Sequence, residues 1–233
     1  MALMKTFLTD VCDFLFPRAC CICGNSLLHD EKYCCTSCLM ALPRTNLHLI
    51  ENNEIEKNFW GKINIKRATS FLYYSKGGDV RQLLYELKYH GNKYIGEFLG
   101  RVMASELIDS GFFDGIDCIV PVPLHKKKLH KRGYNQSEWL CKGISQVTSI
   151  PIRKDIIRRV SQTETQTHKG MYERWSNVNQ AFQGEDVSSL NNLHILIVDD
   201  VLTTGATIVS CCDSFKDIKS IQISVLTLAI ATE

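Results

Sequence analysis

The feature that most constrains the fold is an apolar run that ends in two carboxylates. Residues 195–207 read Ile-Leu-Ile-Val-Asp-Asp-Val-Leu-Thr-Thr-Gly-Ala-Thr. A continuous run of Ile, Leu and Val is typical of a strand buried on both faces of a sheet, and residues 206–215 have helical spacing. The segment therefore predicts a strand, a turn and a helix, with Asp199 and Asp200 at the carboxyl end of the strand, where open α/β sheets bind ligands.

The turn after the two acids consists of small and hydroxyl-bearing residues: Thr203, Thr204, Gly205, Ala206 and Thr207. Hydroxyls and closely spaced backbone N–H groups at the start of a helix bind an anion without a charged side chain. Asp199 and Asp200 cannot hold phosphate, but they suit ribose hydroxyls or a bound metal. The pattern predicts a site for a sugar 5-phosphate; the alternative is a buried strand followed by an ordinary Asp-containing turn.

From Arg67 onward, strand-like and helical segments alternate, with no internal repeat. The strand-like segments are 68–74, 118–122, the apolar run that begins at 195 and ends at the two acids, and 221–231. The helical ones are 79–89, 94–108 and 134–147, and 150–160 reads as mostly extended. Such alternation predicts an α/β fold with a mainly parallel sheet and helices on both faces. We expect residues 67–233 to form this domain, residues 1–45 to form a terminal helix and a cysteine module, and the polar stretch 46–66 to be a linker or loop.

Six of the eleven cysteines lie between positions 20 and 38. Only one register gives two Cys-x-x-Cys pairs, which are Cys20 with Cys23 and Cys35 with Cys38. Two such pairs are what tetrahedral Zn²⁺ requires of a small module, and four thiolates leave no open position for catalysis. Cys21 and Cys34 are then neighbours outside the ligand set. The spacing predicts structural zinc, although the separation of the pairs is shorter than in common zinc ribbons.

Two other interpretations of the cysteines remain. A disulfide cluster is disfavoured because no export signal is evident, and a redox centre because no βαβ pattern surrounds the motif. Cysteines in apolar surroundings are expected to be core residues; these are Cys118, Cys141, Cys211 and Cys212.

Composition excludes little beyond a membrane span. The formal net charge of +2 is too small to argue for nucleic acid by itself, and no apolar run is long enough to cross a bilayer. Leu3, Phe7, Val11 and Phe14 share one face of a short amphipathic helix, interrupted by acids and without a credible cleavage site. We therefore expect a cytoplasmic protein.

A basic stretch follows the strand-like segment 118–122. It begins with a proline-stiffened turn, and residues 126–132 carry five cations and no acid before Gly133. The ordinary interpretation is a solvated basic loop. However, this stretch and the double acid both follow the carboxyl end of a strand, so the two can converge over one crevice. A pyrophosphate group would need such cations.

Two further stretches are candidates for the same site. Residues 158–178 are long, polar and without apolar periodicity, which predicts either a mobile loop that closes over a site or a disordered excursion. Closure would exclude water from a reaction through a sugar cation. The sequence Leu-Lys-Tyr-His-Gly at 87–91 is a weak signal, because the helix dipole also explains a lysine at a helix end.

Together these motifs resemble one family. They are the paired Cys-x-x-Cys module, Leu-Lys-Tyr-His-Gly, Val-Pro-Val-Pro-Leu-His with Lys-Arg-Gly-Tyr-Asn-Gln, Thr-Glu-Thr-Gln-Thr-His with Glu-Arg-x-x-Asn-Val, and the double-acid segment. The chain resembles the ComF competence proteins, also called GntX-like or amidophosphoribosyltransferase-like. This family belongs to the type I phosphoribosyltransferase superfamily, whose signature the double acid alone would match. The resemblance covers nearly the whole chain, in the right order.

The resemblance implies roles for matching residues. Asp199 and Asp200 would hold the ribose of phosphoribosyl pyrophosphate (PRPP), and the turn 203–207 would hold its 5-phosphate. Pro123, Lys126 and Arg132 would lie at the pyrophosphate, and Lys169 with Arg174 would arrive on the closing loop as catalytic residues. Mg²⁺ would bind with PRPP, and zinc would be structural.

Three functions remain open. The first is an enzyme that transfers phosphoribosyl to an unknown acceptor in connection with DNA uptake; Tyr73, Tyr74 and Tyr89 are candidates to stack on an acceptor base. The second is a non-catalytic protein that binds single-stranded DNA beside a helicase-like competence partner, through the basic stretch and Tyr134. In the third, a ribose 5-phosphate nucleotide occupies the site as a regulator and the zinc module contacts a protein.

Overall fold

The computed structural model describes residues 18–89, 91–159, 182–184, 190–216, 218 and 220–231. The predicted N-terminal amphipathic helix lies outside these residues. So does most of the predicted closing loop, including Lys169 and Arg174.

A parallel sheet organises the described part of the chain. Its strands are β1 (Arg67–Tyr74), β2 (Cys118–Pro121), β5 (His194–Leu202) and β6 (Gln222–Ala231), arranged in the order β1-β6-β5-β2. All three pairings are parallel, and Asp199 lies opposite Thr227 of β6. Two short strands, β3 (Ile157–Arg159) and β4 (Phe182–Gly184), pair antiparallel in a separate ribbon. The double-acid strand β5 is therefore an interior strand, as its continuous apolar run predicts.

The described helices are α1 (Thr36–Ala41), α2 (Glu54–Phe59), α3 (Asp79–Tyr89), α4 (Lys93–Leu107), α5 (Lys126–Arg132), α6 (Gln136–Thr148) and α7 (Ala206–Cys212). Short 3₁₀ turns lie at Leu47–Leu49, Ile108–Ser110 and Asp213–Phe215. Helices α3, α4, α6 and α7 lie where the sequence predicts them, within one or two residues at each start. Within these described residues, no helix has the length and apolar character needed to cross a bilayer.

The two faces of the sheet carry separate apolar cores. Along β5, Leu196 and Val198 pack in the core that includes residues of α3, α4 and α6, whereas Ile195 and Ile197 pack in the core that includes α2 and α7. This alternation follows from the pleat of a strand, which points successive side chains to opposite faces. The predicted α/β class, with a parallel sheet covered by helices on both faces, is confirmed.

Helices α4 and α6 pack closely because each has a glycine at their contact. A Cβ atom added to Gly100 would collide with the backbone oxygen of Leu140, and one added to Gly143 would collide with that of Glu97. Only glycine permits backbones to approach so closely. This contact positions the start of α6 at the carboxyl edge of the sheet.

The expectation that residues 46–66 form a linker is wrong. This segment contains the turn Leu47–Leu49 and helix α2, whose Ile55 and Phe59 are fully buried. Asn53 caps the helix by accepting hydrogen bonds from the N–H groups of Ile55 (2.9 Å) and Glu56 (3.1 Å), and its side-chain amide donates to the Ala68 oxygen of β1 (2.9 Å). Two apolar residues four positions apart and an Asn cap are too short a signal to stand out in a polar stretch.

The substitution Phe59→Ala tests the packing of this segment. We expect it to lower the free energy of unfolding by about 3–5 kcal/mol, because it empties a fully buried site. Chemical denaturation measures this loss. Trp60→Ala is the matched control, since the neighbouring Trp60 is 57% exposed; a similarly small effect of both substitutions would mean that the segment is a linker after all.

Candidate functional site

The double acid lies at the carboxyl edge of the sheet. Asp199 and Asp200 are half-buried, and β5 continues past them to Leu202 instead of ending at the acids. Two neighbouring carboxylates at a strand end repel each other when both are charged, so their surroundings decide whether they can bind a ligand.

Asp199 is held by two hydrogen bonds to one oxygen. The Ser137 hydroxyl donates to Asp199 Oδ1 (3.1 Å), and so does the backbone N–H of Asp200 (2.8 Å). Burial, together with the charge of Asp200, raises the pKa of Asp199 to about 7, although these hydrogen bonds lower it. Asp199 is therefore a carboxyl group that changes its charge near neutral pH.

Ser137 is positioned by a buried polar motif at the start of α6. Asn135 caps the helix by accepting from the Ser137 N–H (3.3 Å), and its side-chain amide donates to the Val122 oxygen (2.9 Å). The Val122 N–H in turn donates to the Val198 oxygen of β5 (3.0 Å). Asn135 and Ser137 are each 5% exposed or less. These residues connect β2, α6 and β5 directly behind the acids.

Sequence reasoning missed this function of the motif. It gave weight to the cations of Lys-Arg-Gly-Tyr-Asn-Gln, whereas the neutral Asn135 holds the start of α6 to Val122, and the next residue but one, Ser137, bonds to Asp199. An Asn at the position before a predicted helix was the available signal.

Lys88 forms an ion pair with Asp200. Its Nζ lies 3.0 Å from Asp200 Oδ2, and the two side chains are only 22% and 16% exposed. The end of α3 is anchored there because the Tyr134 hydroxyl donates to the Leu87 oxygen (2.6 Å). Lys88 thus lies at the candidate site, although the helix dipole alone could explain a lysine at this helix end. The motif Leu-Lys-Tyr-His-Gly was the sequence signal for its position.

The predicted phosphate turn is open to solvent except at its glycine. Gly205 is buried with a φ of +76° directly before α7, a backbone conformation that favours glycine. A Cβ atom there would lie 2.9 Å from a ring carbon of Phe59 and 3.2 Å from the Asn58 amide nitrogen. Helix α2 therefore packs directly against the glycine of the turn. The other turn residues are exposed, which an anion site requires; they are Thr203, Thr204, Ala206 and Thr207.

The basic stretch is a helix, not a loop. Residues 126–132 form α5, which begins after His125, and Gly133 ends it with a φ of +78° instead of opening the next helix. Lys126 is exposed, whereas Arg132 is half-buried. The Arg132 guanidinium donates to Gln136 Oε1 (2.9 Å) and lies 5.4 Å from the centre of the Tyr89 ring. A run of cations with helical length gave no apolar period from which a helix could be predicted.

The structure brings some of the predicted residues together and leaves others apart. Asp199, Asp200 and the turn 203–207 are continuous in the chain, and Pro123 follows Val122, whose N–H donates to β5. Arg132 contacts the ring of Tyr89, the residue that follows Lys88 in the chain. Among the described contacts, none joins Lys126 to the two acids.

The four predicted zinc ligands form one cluster. The Sγ atoms of Cys20, Cys23, Cys35 and Cys38 all lie within 4.8 Å of one another. The Cys23 and Cys35 sulfurs are 3.8 Å apart, close to the edge of about 3.8 Å of a tetrahedron with metal–sulfur bonds of about 2.3 Å. The N–H groups of Ile22 and Cys35 donate to Cys20 Sγ (3.5 and 3.3 Å).

These hydrogen bonds favour the thiolate form that a metal needs. Burial raises the pKa of Cys20, but the backbone hydrogen bonds outweigh it and the pKa falls to about 6. The cluster therefore fits a structural metal ion. Cys21 and Cys34 lie outside it, which resolves the choice among the six thiols. The predicted core cysteines are buried: Cys118, Cys141, Cys211 and Cys212.

Comparison with known sequences shows that no family model matches the chain. A protein from Salmonella typhi named DNA utilization protein YhgH is 34% identical over 129 residues, which cover 54% of this chain and 56% of that protein. The protein of the same name from Escherichia coli K12 is 29% identical over 193 residues, 81% of this chain and 80% of the relative. Competence protein F of Haemophilus influenzae is 29% identical over 130 residues, 54% of this chain and 57% of that protein. The chain thus spans little more than half the length of the Salmonella relative.

Among solved structures, the chain is similar to the glutamine PRPP amidotransferase of B. subtilis complexed with ADP and GMP. The TM-score is 0.42 at 14% sequence identity, and the match covers 60% of this chain and 30% of the enzyme. A second match, an allosteric regulatory enzyme of purine biosynthesis, has a TM-score of 0.40 at 14% identity and covers 60% of this chain and 29% of that one.

The raised pKa of Asp199 predicts a pH-dependent difference between the wild type and Asp199→Asn. Asp199 holds its proton more tightly in the folded protein than in the unfolded chain. Its protonated form therefore stabilises the fold fully below the ordinary pKa of 3.8, and this stabilisation is lost as the pH rises towards about 7. Across this window the wild type should lose stability relative to the variant by at most about 1.4 kcal/mol per pH unit. Denaturation of both proteins at pH 4 to 8 measures the difference. A difference that does not change with pH would contradict the burial of this carboxyl.

Proposed function

We propose that this chain, whose relatives confirm its resemblance to the ComF competence proteins, binds PRPP with Mg²⁺ and transfers the phosphoribosyl group to an acceptor. The observation that carries the proposal is the pair Asp199 and Asp200 at the edge of β5, held by Ser137 and Lys88 and followed by a solvent-open turn. A sugar phosphate needs acceptors for its hydroxyls and donors for its phosphate, and this segment offers both within nine residues.

The ribose would lie on the two acids. Its 2- and 3-hydroxyls would donate hydrogen bonds to Asp199 and Asp200, and the 5-phosphate would accept from the N–H groups of residues 203–207. Ser137 and the Asp200 N–H both donate to Oδ1 of Asp199, so we assign its other oxygen, Oδ2, to a ribose hydroxyl.

Lys88 would act as the counter-charge of the site. It pairs with Asp200, and it is followed in the chain by Tyr89, whose ring centre lies 5.4 Å from the Arg132 guanidinium. A diphosphate that enters between Lys88 and Arg132 brings several negative charges to two cations. We therefore assign Lys88 to PRPP binding, together with Pro123, Lys126 and Arg132.

The reaction would break the bond between C1 of the ribose and the pyrophosphate oxygen. A nucleophilic atom of the acceptor forms the new bond to C1 and loses its proton, and pyrophosphate leaves with the electron pair. Mg²⁺ supplies charge neutralisation of the diphosphate when it is bound. Lys169 and Arg174 would reach the leaving group on the loop 158–178, which excludes water from the sugar cation.

The cysteine cluster would hold Zn²⁺ as a structural ion. Four thiolates satisfy a tetrahedral ion completely, so no position remains for a substrate. Cysteines that bind a metal as thiolates persist in a reducing compartment. We therefore propose that the protein is cytoplasmic.

Isothermal calorimetry with PRPP and Mg²⁺ tests the proposal. We expect Asp200→Asn to weaken PRPP binding by about tenfold or more, because a hydrogen bond to a charged acceptor is worth about 1.5–3 kcal/mol. Asp109→Asn is the matched control, since Asp109 is an exposed acid on a 3₁₀ turn. Unchanged affinity in Asp200→Asn would remove the ribose assignment, and absence of pyrophosphate release with every nucleobase tested would restrict the site to binding.

A specific surface favours single-stranded DNA binding as a second function, in keeping with the names of the relatives. Tyr134 cannot provide a stacking platform, because it is 7% exposed and its hydroxyl bonds to Leu87. Instead, Tyr85 and Tyr89 of α3 are about half exposed, with ring centres 5.1 Å apart. Tyr94 is 53% exposed and lies 5.2 Å from Trp139.

Cations lie beside three of these four rings, which we call the aromatic face. Lys93 Nζ lies 5.0 Å from the centre of the Trp139 ring, and Lys142 Nζ lies 3.5 Å from it. The Arg132 guanidinium lies 5.4 Å from the centre of the Tyr89 ring. Rings that stack on bases, beside cations that follow a phosphate backbone, are the usual elements of a single-strand site. Tyr89 directly follows Lys88 of the proposed PRPP site in the chain. We propose that a strand delivered by a helicase-like competence partner binds here.

The double variant Tyr89→Ala, Tyr94→Ala tests this surface. Each stacked base contributes about 1–3 kcal/mol, so we expect the affinity for an oligothymidine to fall at least tenfold. Tyr89→Phe should retain binding, and Trp60→Ala serves as the control because Trp60 is an exposed aromatic residue outside the face. Fluorescence anisotropy at several salt concentrations measures the affinity. Equal affinity of the double variant and the wild type, or no dependence on salt, would refute the assignment.

A further inference from the structure

A second pair of sulfurs lies beside the metal cluster. Cys21 Sγ is 3.1 Å from Cys34 Sγ, and neither residue belongs to the four-cysteine cluster. A disulfide bond is about 2.05 Å long, so an approach of about 1 Å would join these atoms.

The fold of the module brings this pair together. The Cys21 N–H donates to the Tyr33 oxygen (2.9 Å), so the turn 21–23 lies beside the bend 32–34. Cys20 and Cys35 belong to the metal cluster, whereas Cys34 is 4% exposed and Cys21 packs with it in the core shared with the main domain.

Small molecules can reach Cys21. A cavity of about 600 Å³ lies between the module and helix α3, and Cys21 is in its lining together with Tyr33, Gln82 and Glu86. Cys21 is half-buried, whereas Cys118 and Cys141 are buried away from this cavity. Cys21 thus combines access from the cavity with a sulfur partner, the buried Cys34.

We propose that Cys21 and Cys34 are a disulfide site, oxidised by a peroxide while the four-cysteine cluster keeps its metal. One sulfur attacks a peroxide oxygen, the O–O bond breaks, and a sulfenic acid and one water result. The second sulfur then attacks the sulfenic sulfur, the S–O bond breaks, and the S–S bond forms with release of a second water. Two thiols and one hydrogen peroxide thus give one disulfide and two waters.

The disulfide bond would cross-link the module whether or not the metal is bound. It would join the segment that carries Cys20 and Cys23 to the segment that carries Cys35 and Cys38, which the metal otherwise connects. This oxidation involves neither PRPP nor DNA, so its test is independent of the proposed function.

Peptide mapping of the metal-loaded full chain tests the site. The protein is treated with hydrogen peroxide, free thiols are blocked with N-ethylmaleimide, and trypsin cleaves after Arg18, Lys32 and Arg44 without reduction. We expect the peptides 19–32 and 33–44 to be cross-linked, with two fewer blocked thiols and an unchanged metal content. Cys118→Ala should give the same map, and Cys21→Ala should lose the cross-link.

Three results would overturn the site. They are the absence of a cross-link in the wild type, a cross-link that persists in Cys21→Ala, and metal release in step with cross-linking, which would mean that the metal ligands are oxidised instead. Because the wild-type map is decisive by itself, the test does not depend on the folding of a variant. A chelator added after oxidation gives a second measurement: the oxidised wild type should resist proteolysis within residues 18–45 longer than oxidised Cys21→Ala.

Discussion

Two adjacent carboxylates near the carboxyl end of a buried strand are the constraint on which the rest of the site depends. Burial and the neighbouring charge of Asp200 disfavour the charged form of Asp199 and raise its pKa. Lys88 offsets the charge of Asp200 through an ion pair, and a hydrogen bond from Ser137 favours the charged form of Asp199. The proposed function assigns these two acids to hydroxyl donors, which would be ribose hydroxyls.

The partners of the acids come from distant parts of the chain, and packing brings them there. The glycine contact between α4 and α6 places Ser137 at the edge of the sheet. The Tyr134 hydroxyl fixes the end of α3, and hence Lys88. On the other face, Phe59 of α2 supports Gly205 of the turn. Each supporting element thus holds one part of the site in place before any ligand arrives.

Local patterns made much of the fold predictable from the sequence. The apolar run of β5, the register of the Cys-x-x-Cys pairs and the helical spacing of α3 and α4 are each encoded within a few neighbouring residues, and the structure agrees with all of them. Helix α2 was missed because its signal consists of Ile55, Phe59 and one cap within a polar stretch.

The contacts of the site could not be predicted in the same way. Lys88 is 112 positions from Asp200, and Ser137 is 62 positions from Asp199. Nothing in the local sequence of either residue specifies its partner. For the same reason Tyr134 seemed free to stack on a base, although its ring is buried against α3. The proposed acceptor would be recognised by a surface that no local motif encodes.

A crystal structure of the protein with ribose 5-phosphate and Mg²⁺ tests the central claim most directly. The account predicts the ribose hydroxyls within hydrogen-bond distance of Asp199 and Asp200, and the phosphate on the N–H groups of residues 203–207. A sugar phosphate bound elsewhere, with the Lys88–Asp200 ion pair unchanged and the turn without a ligand, would contradict it.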